Sequence, residues 1–351
     1  MNHSVEKLLK MNEHHSGQYA DLGVERQIYR AQHPTEIGVM KCMDGRLHLP
    51  VMTETALGII QPWRNLGGKF NLGWPHFQDT VVEWADYAFN RGRHCVVFAT
   101  YHFARGFEGE NAEKVLHRGC KGYGYDTELA KKESLELKEQ FDRVFNNDGL
   151  YAIHAGIETD LEALILHGDN GETVDLANVT ATSDAEIEGM LRKLYTKIPS
   201  IVIRDLIPVI AGNIRHIEKI RAAKRPTIDT EHKEWVLALG RGFDWLHEIN
   251  TALIVGPFDP DLEGAVATAA GLLKGNINDG RIKAEDGLVL LVSAPYRDSA
   301  GYKKRKAEEK AKYLSSLAYK VISEKVPEII PHLSVVTATC DMNTRKLNLL
   351  N

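Results

Sequence analysis

The stretch "EIGVMKCMDGR", residues 36 to 46, decides how the chain is read. Its first part is an apolar run without long polar interruption, which suits a strand buried on both faces of a parallel sheet. Its second part sets Cys42, Asp44 and Arg46 at every second position. Alternate residues of a strand share a face. A strand running nearly to Arg46 would therefore converge a thiol, a carboxylate and a guanidinium on one spot.

The surroundings extend the pattern. Val5 to Gln18 and Leu22 to Gln32 read as helices, the second stopped by Pro34. "GIIQPWRNLGGKF" reads as a strand ending in a Gly-rich loop, and "QDTVVEWADYAFNRG" as a helix closed by Gly92. "HCVVFATYH" is a β-branched, aromatic strand; "DTELAKKESLELKEQFDRVF" is a polar helix; "LYAIHAGIETDLEALILHG" is a strand, a turn and a second strand. Strands and helices alternating at these lengths predict an α/β fold with a mainly parallel sheet flanked by helices. Ligands of such sheets bind beyond the carboxyl ends of the strands. Cys42, the Gly67-Gly68 loop and His102 all fall at predicted strand ends.

At 351 residues the chain exceeds one ordinary core, and two domains are expected at about 150 residues each. Around residue 180 the texture changes, where Ser183 and Glu186 form a capping box ahead of a new helix. Two or three helices are expected up to about Asn250, punctuated by Pro199 and Pro208. Then α/β patterning returns. "IGVMKCMDGR" can be laid over "ALIVGPFDPD", pairing Cys42 with Pro257 and Asp44 with Asp259. "VVFATYHF" lies over "LLVSAPYR", pairing His102 with Tyr296, and "YAIHAGIETDLEAL" over "VVTATCDMNTRKL". The expectation is a zinc-binding domain over 1–180 and a degenerate, metal-free copy with extra helices over 181–351.

A formal charge of −5 gives no footprint for nucleic acid. The "KKRKAEEKAK" run at 303–312 reads as a solvated helix face laced with ion pairs. No apolar run approaches the roughly 18 residues of a membrane span. The polar start lacks the apolar core of a signal peptide, and four scattered cysteines suit reduced thiols, so the expected location is cytoplasmic.

Chemistry gives each alternating residue a task. A thiolate is a strong zinc ligand, and zinc lowers the pKa of its bound water to about 7. A carboxylate two residues away can accept a hydrogen bond from that water, and an arginine beside it keeps it ionised and oriented. Catalytic zinc needs three protein ligands and an open position. His102, at a strand end, and His117 with Cys120 in "HRGC" are the remaining candidates. Cys95, at the start of its strand, and Cys340 read as buried hydrophobes.

In these residues the chain resembles the beta-class carbonic anhydrases. "CMDGR" at 42–46, "RNLGG" at 64–68, and "VVFATYH" ending at His102 follow the family's order of Cys-x-Asp-x-Arg, Arg-Asn-x-x-Gly and a histidine-ended strand. The resemblance covers about residues 5 to 170, the last part through "HAGIETDLEALI". One departure stands out: the residue three after His102 is Arg105, and the next cysteine is Cys120. Two solutions are open, an insertion between His102 and Cys120, or His117 as the imidazole ligand. The family's placement of its histidine favours His102. The divergent carboxysomal shell type also separates the histidine from the second cysteine and carries a degenerate second copy. That type's long additional N-terminal region is missing here, so a shell location does not carry over.

The resemblance implies Zn2+ held by Cys42, His102 and Cys120, with hydroxide in the fourth position, Asp44 accepting its hydrogen bond and Arg46 holding Asp44. It implies reversible hydration of carbon dioxide to bicarbonate, one zinc per chain, and a pseudo-dimeric chain or a homo-oligomer of such chains. Two rivals share the scaffold: hydrolysis of carbon disulfide or carbonyl sulfide, and a catalytically inactive zinc-binding homologue.

Overall fold

Two sheets organise the computed structural model, which describes residues 3–106, 118–180, 183–224, 231–246 and 248–350. The first contains β1 (Thr35–Cys42), β2 (Ile60–Asn65), β3 (His94–Phe103), β4 (Leu150–Glu158), β5 (Ala163–His167) and β6 (Thr173–Asp175) in the order β2-β1-β3-β4-β5-β6. The first four are parallel, and β5 and β6 run antiparallel to their neighbours. The second contains β7 (Val236–Gly240), β8 (Ala252–Val255), β9 (Leu288–Tyr296), β10 (Leu333–Asp341) and β11 (Leu347–Leu349) in the order β11-β10-β9-β7-β8. Here β11 alone is antiparallel. The α/β class with mainly parallel sheets is as the sequence predicts.

The second sheet repeats the strand order of the first, with β7 in the place of β1 and β8 in the place of β2. This corrects the pairing of Cys42 with Pro257 and of Asp44 with Asp259, which laid β1 over β8. With β3 laid on β9 so that His102 meets Tyr296, Ala99 meets Ser293. Their cross-strand partners are Met40 and Gly240. Two residues further on, Cys42 falls on Gly242; Asp44 falls on Asp244. The slip has a simple origin. "VLALG" is a five-residue strand buried on both faces with helix-favouring Leu-Ala-Leu at its centre, so it shows no alternation and sits in a stretch that reads as helical.

Helices cross between the sheets. The His3–Asp21 helix buries Val5, Leu8 and Met11 against Val236, Val289 and Val336 of the second sheet. Conversely, the Ser200–Ala223 helix packs on the first sheet's side, where Asn213 donates to the carbonyls of Met52 and Glu162 and accepts from the Leu164 amide. That helix runs unbroken through Pro208, contrary to the expected punctuation, while Pro199 is its N-cap. The expected capping box of Ser183 and Glu186 is present at the start of the Asp184–Leu194 helix. Main-chain hydrogen bonds also join the halves, from Ile254 N to Met43 O and from Gly256 N to Arg64 O.

Candidate metal centre

Strand geometry brings the first two candidate ligands together. β1 ends at Cys42, and β3 carries His102 one residue from its end. The loop after β2 closes over both. Gly68, at φ +69°, lies where a Cβ would come within 3.2 Å of the Cys42 amide and the Thr100 carbonyl. Only glycine fits that close approach at that φ without strain. Cys120 arrives from the far side, just before a short turn over Lys121–Tyr123.

Cys42, His102 and Cys120 are all buried, and their ligating atoms lie within 4.8 Å of one another. The two sulfurs are 3.6 Å apart and both cysteines are free. Zinc–sulfur bonds of about 2.3 Å at a tetrahedral centre would set two sulfurs about 3.8 Å apart. A disulfide would need about 2.05 Å. His102 is 4% exposed, and neither of its ring nitrogens has a hydrogen-bond partner. An imidazole buried without partners costs free energy unless something ligates it. The donor set therefore fits zinc. His117, the other imidazole candidate, lies outside the described residues.

Protonation of the sulfurs is set locally. Burial and then the hydrogen bond with Cys120 push the Cys42 thiol well up. The same bond from Cys42 brings Cys120 down against its own burial. Cys95 and Cys340 are buried in the cores, away from this group, and burial pushes each up to about 12.

Asp44 and Arg46 meet by a different route from the one expected. The strand stops at Cys42, so alternation does not bring them together; a tight turn does. The Arg46 amide and Nε both donate to Asp44 Oδ1, at 2.9 and 3.0 Å, and Nη2 donates to Oδ2 at 2.7 Å. Burial alone would raise the Asp44 carboxyl, but the facing Arg46 guanidinium and the imidazoles of His232 and His102 together hold the acid well below its ordinary range. Asp44 Oδ2 stands 3.8 Å from His102 Nδ1, so the ionised carboxylate faces the ligand group.

A cavity of about 460 Å³ opens onto these residues. Its wall draws on both halves: Arg118, Lys121 and Asp160 from the first, His232, Gly271 and Arg281 from the second. Sequence reasoning missed the second-half residues. His232 and Glu234 immediately precede β7, and only the recognition of β7 as a strand would have placed them beside a strand-end site. Asp44, His232 and Glu234 also gather acidic and imidazole atoms within 4.8 Å. The Arg46 guanidinium already stands among them, 2.7 Å from Asp44 and 3.1 Å from His232, and supplies the positive charge there.

Among the described residues no helix is long and apolar enough to cross a membrane. No family model matches the chain. The chain is similar to a carboxysome shell carbonic anhydrase of Prochlorococcus marinus subsp. pastoris, at 23% identity over 279 residues, covering 67% of this chain and 52% of that protein. The chain thus spans about half the length of the curated relative it matches, a distant relationship.

Proposed function

We propose that the chain is a zinc-dependent carbonic anhydrase, interconverting carbon dioxide and bicarbonate at Cys42, His102 and Cys120. One observation carries the reading: a buried Cys–His–Cys group with an unpartnered imidazole faces a carboxylate clamped by a bidentate arginine. Zinc bound by these three residues would supply a water of pKa about 7, a nucleophile at neutral pH. Asp44 cannot donate while ionised, so the acceptor site left on its Oδ2 would take a hydrogen bond from that water and orient it toward carbon dioxide. Arg46 fixes the rotamer and charge of Asp44 by three hydrogen bonds. Arg118, Lys121 and Arg281 line the cavity and favour the bicarbonate anion over the neutral gas.

The repeated strand order supports reading residues 1–180 and 181–351 as two copies of one unit, the second without ligands. Gly242 stands for Cys42 and Tyr296 for His102, so one zinc per chain follows, and the fused second copy serves as the partner of the first. The test is stopped-flow carbon dioxide hydration by the zinc-loaded chain at about pH 8, above the pKa of about 7 typical of zinc-bound water. Hydration well above the buffer blank is expected. Stoichiometric zinc without hydration would remove this reading.

A further inference from the structure

We propose that His232 and Glu234, contributed by the second half, are positioning residues that hold the Asp44-Gly45-Arg46 turn of the first half in its working geometry. The proposal rests on the carbonic anhydrase reading for its kinetic consequence, but its structural basis is independent of it.

Glu234 is wholly buried just ahead of β7, and its Oε1 accepts the Gly45 amide at 3.1 Å. Asn276 pins the same residue, donating to its carbonyl at 3.0 Å and toward its Oε2 at 3.4 Å. Gly45 lies so close that a Cβ there would stand 2.7 Å from Glu234 Cγ and 2.8 Å from the Ala252 carbonyl. The turn is thus pressed against the second half, which also bonds it through Asn250 N to Gly45 O.

His232 completes the clamp. Its Nδ1 lies 3.0 and 3.1 Å from the two Glu234 oxygens, and its Nε2 lies 3.1 Å from Arg46 Nη2. A carboxylate only accepts and a guanidinium only donates. The hydrogen-bond network therefore assigns His232 as the neutral Nδ1–H tautomer, giving to Glu234 and accepting from Arg46 at Nε2. Arg46 Nη2 is held on two sides, by Asp44 and by His232. Both the carboxylate and the imidazole of this clamp come from the second half. The site is incomplete without the second copy, which explains why a half lacking zinc ligands is retained as part of the molecule.

The test compares wild type, Glu234→Gln, His232→Leu and His232→Gln, all zinc-loaded, by metal content, melting temperature, hydration kinetics and long-range proton–nitrogen NMR of the imidazoles. The His232 signals are identified by their loss in His232→Gln. The expected wild-type signature is Nδ1–H, since an Nε2–H ring would set two donors against each other at Arg46 Nη2. Glu234→Gln and His232→Leu should lower kcat about 10- to 100-fold with zinc content unchanged. His232→Gln, whose amide can both donate to Glu234 and accept from Arg46, should stay within about threefold of wild type. An Nε2–H signature in wild type, or wild-type kcat in both damaging variants at full zinc loading, would overturn the proposal. If the wild type itself carries zinc but hydrates no carbon dioxide, the carbonic anhydrase reading fails alone, and the tautomer still decides the positioning role.

Discussion

Cys42 and Cys120 stand 78 residues apart in the chain, yet both are buried and their sulfurs lie 3.6 Å from each other. Neither belongs to a disulfide, and an imidazole without hydrogen-bond partners completes the group. Two buried thiols and a buried imidazole are a poor way to build an apolar core, and a good way to hold a thiophilic cation.

Zinc binding therefore depends on each of the three. Cys42→Ser and Cys120→Ser should each lower bound zinc from one equivalent per chain to a small fraction of it, read by metal analysis after gel filtration. Removing the metal by chelation should also lower the melting temperature, since zinc at a thousandfold its dissociation constant contributes about 4 kcal/mol. Two equivalents of tightly bound zinc per chain would contradict the single-site account.

On the proposed reading Asp44 serves catalysis through a hydrogen bond to the nucleophile, besides bracing its own turn through the Arg46 amide. Asp44→Asn is expected to keep zinc while lowering kcat/KM at least about 10- to 100-fold, the range seen when groups around a metal's ligands are altered, and to lower the melting temperature because the Arg46 guanidinium loses its buried counter-charge. Arg46→Ala should follow it, because the freed carboxylate loses its fixed orientation. Unchanged kinetics in Asp44→Asn would show that the carboxylate only anchors the turn.

The halves exchange helices, and stability should register the exchange. Leu8 is fully buried, yet it lies in the N-terminal helix and packs with residues of the second sheet. Leu8→Ala should cost about 2–5 kcal/mol in denaturant unfolding, the range for a large-to-small change in a core. A cost below about 0.5 kcal/mol, typical of surface positions, would show that this helix is not docked on the second sheet.

Low pH should destabilise the chain through two stacked imidazoles. The rings of His154 on β4 and His167 on β5 lie 4.4 Å apart, and burial, then the charge His167 would carry if protonated, push His154 down to about 3. Burial and then Lys131 push His167 down to about 4. Folded, both stay neutral; unfolded, with ordinary values near about 6.5, they take up protons below that pH. The unfolded state thus binds more protons, so stability falls as pH drops from about 6.5 towards 4. Unfolding midpoints compared at about pH 7.5 and about pH 5 should show the fall, and His154→Gln should lessen it. Equal pH dependence in the variant would place the effect elsewhere.

What was legible in the sequence divides along physical lines. Long, strongly patterned elements read correctly: β1, β3, β4 and the Thr127–Phe145 helix carry enough apolar or periodic residues to specify themselves. Cys42, His102 and Cys120 were legible as candidates because zinc chemistry restricts ligand types, and the structure brings the three together. The way Asp44 meets Arg46 was not, because a strand's end is set by tertiary context; β1 stops two residues before Asp44 and a turn replaces the expected alternation. β7 was hidden because five doubly buried residues have no face to alternate. With β7 hidden, His232 and Glu234 had no address. Their contribution comes from a contact some 190 positions away in the chain, which local pattern does not encode.

The central claim is that Cys42, His102 and Cys120 hold zinc and leave one position open. X-ray absorption at the zinc edge of the purified chain tests it directly. The account predicts two sulfurs at about 2.3 Å, one nitrogen at about 2.0–2.1 Å and one further light atom that exchanges with added anions. Four protein ligands, as in a closed structural site, or a shell without sulfur would contradict it.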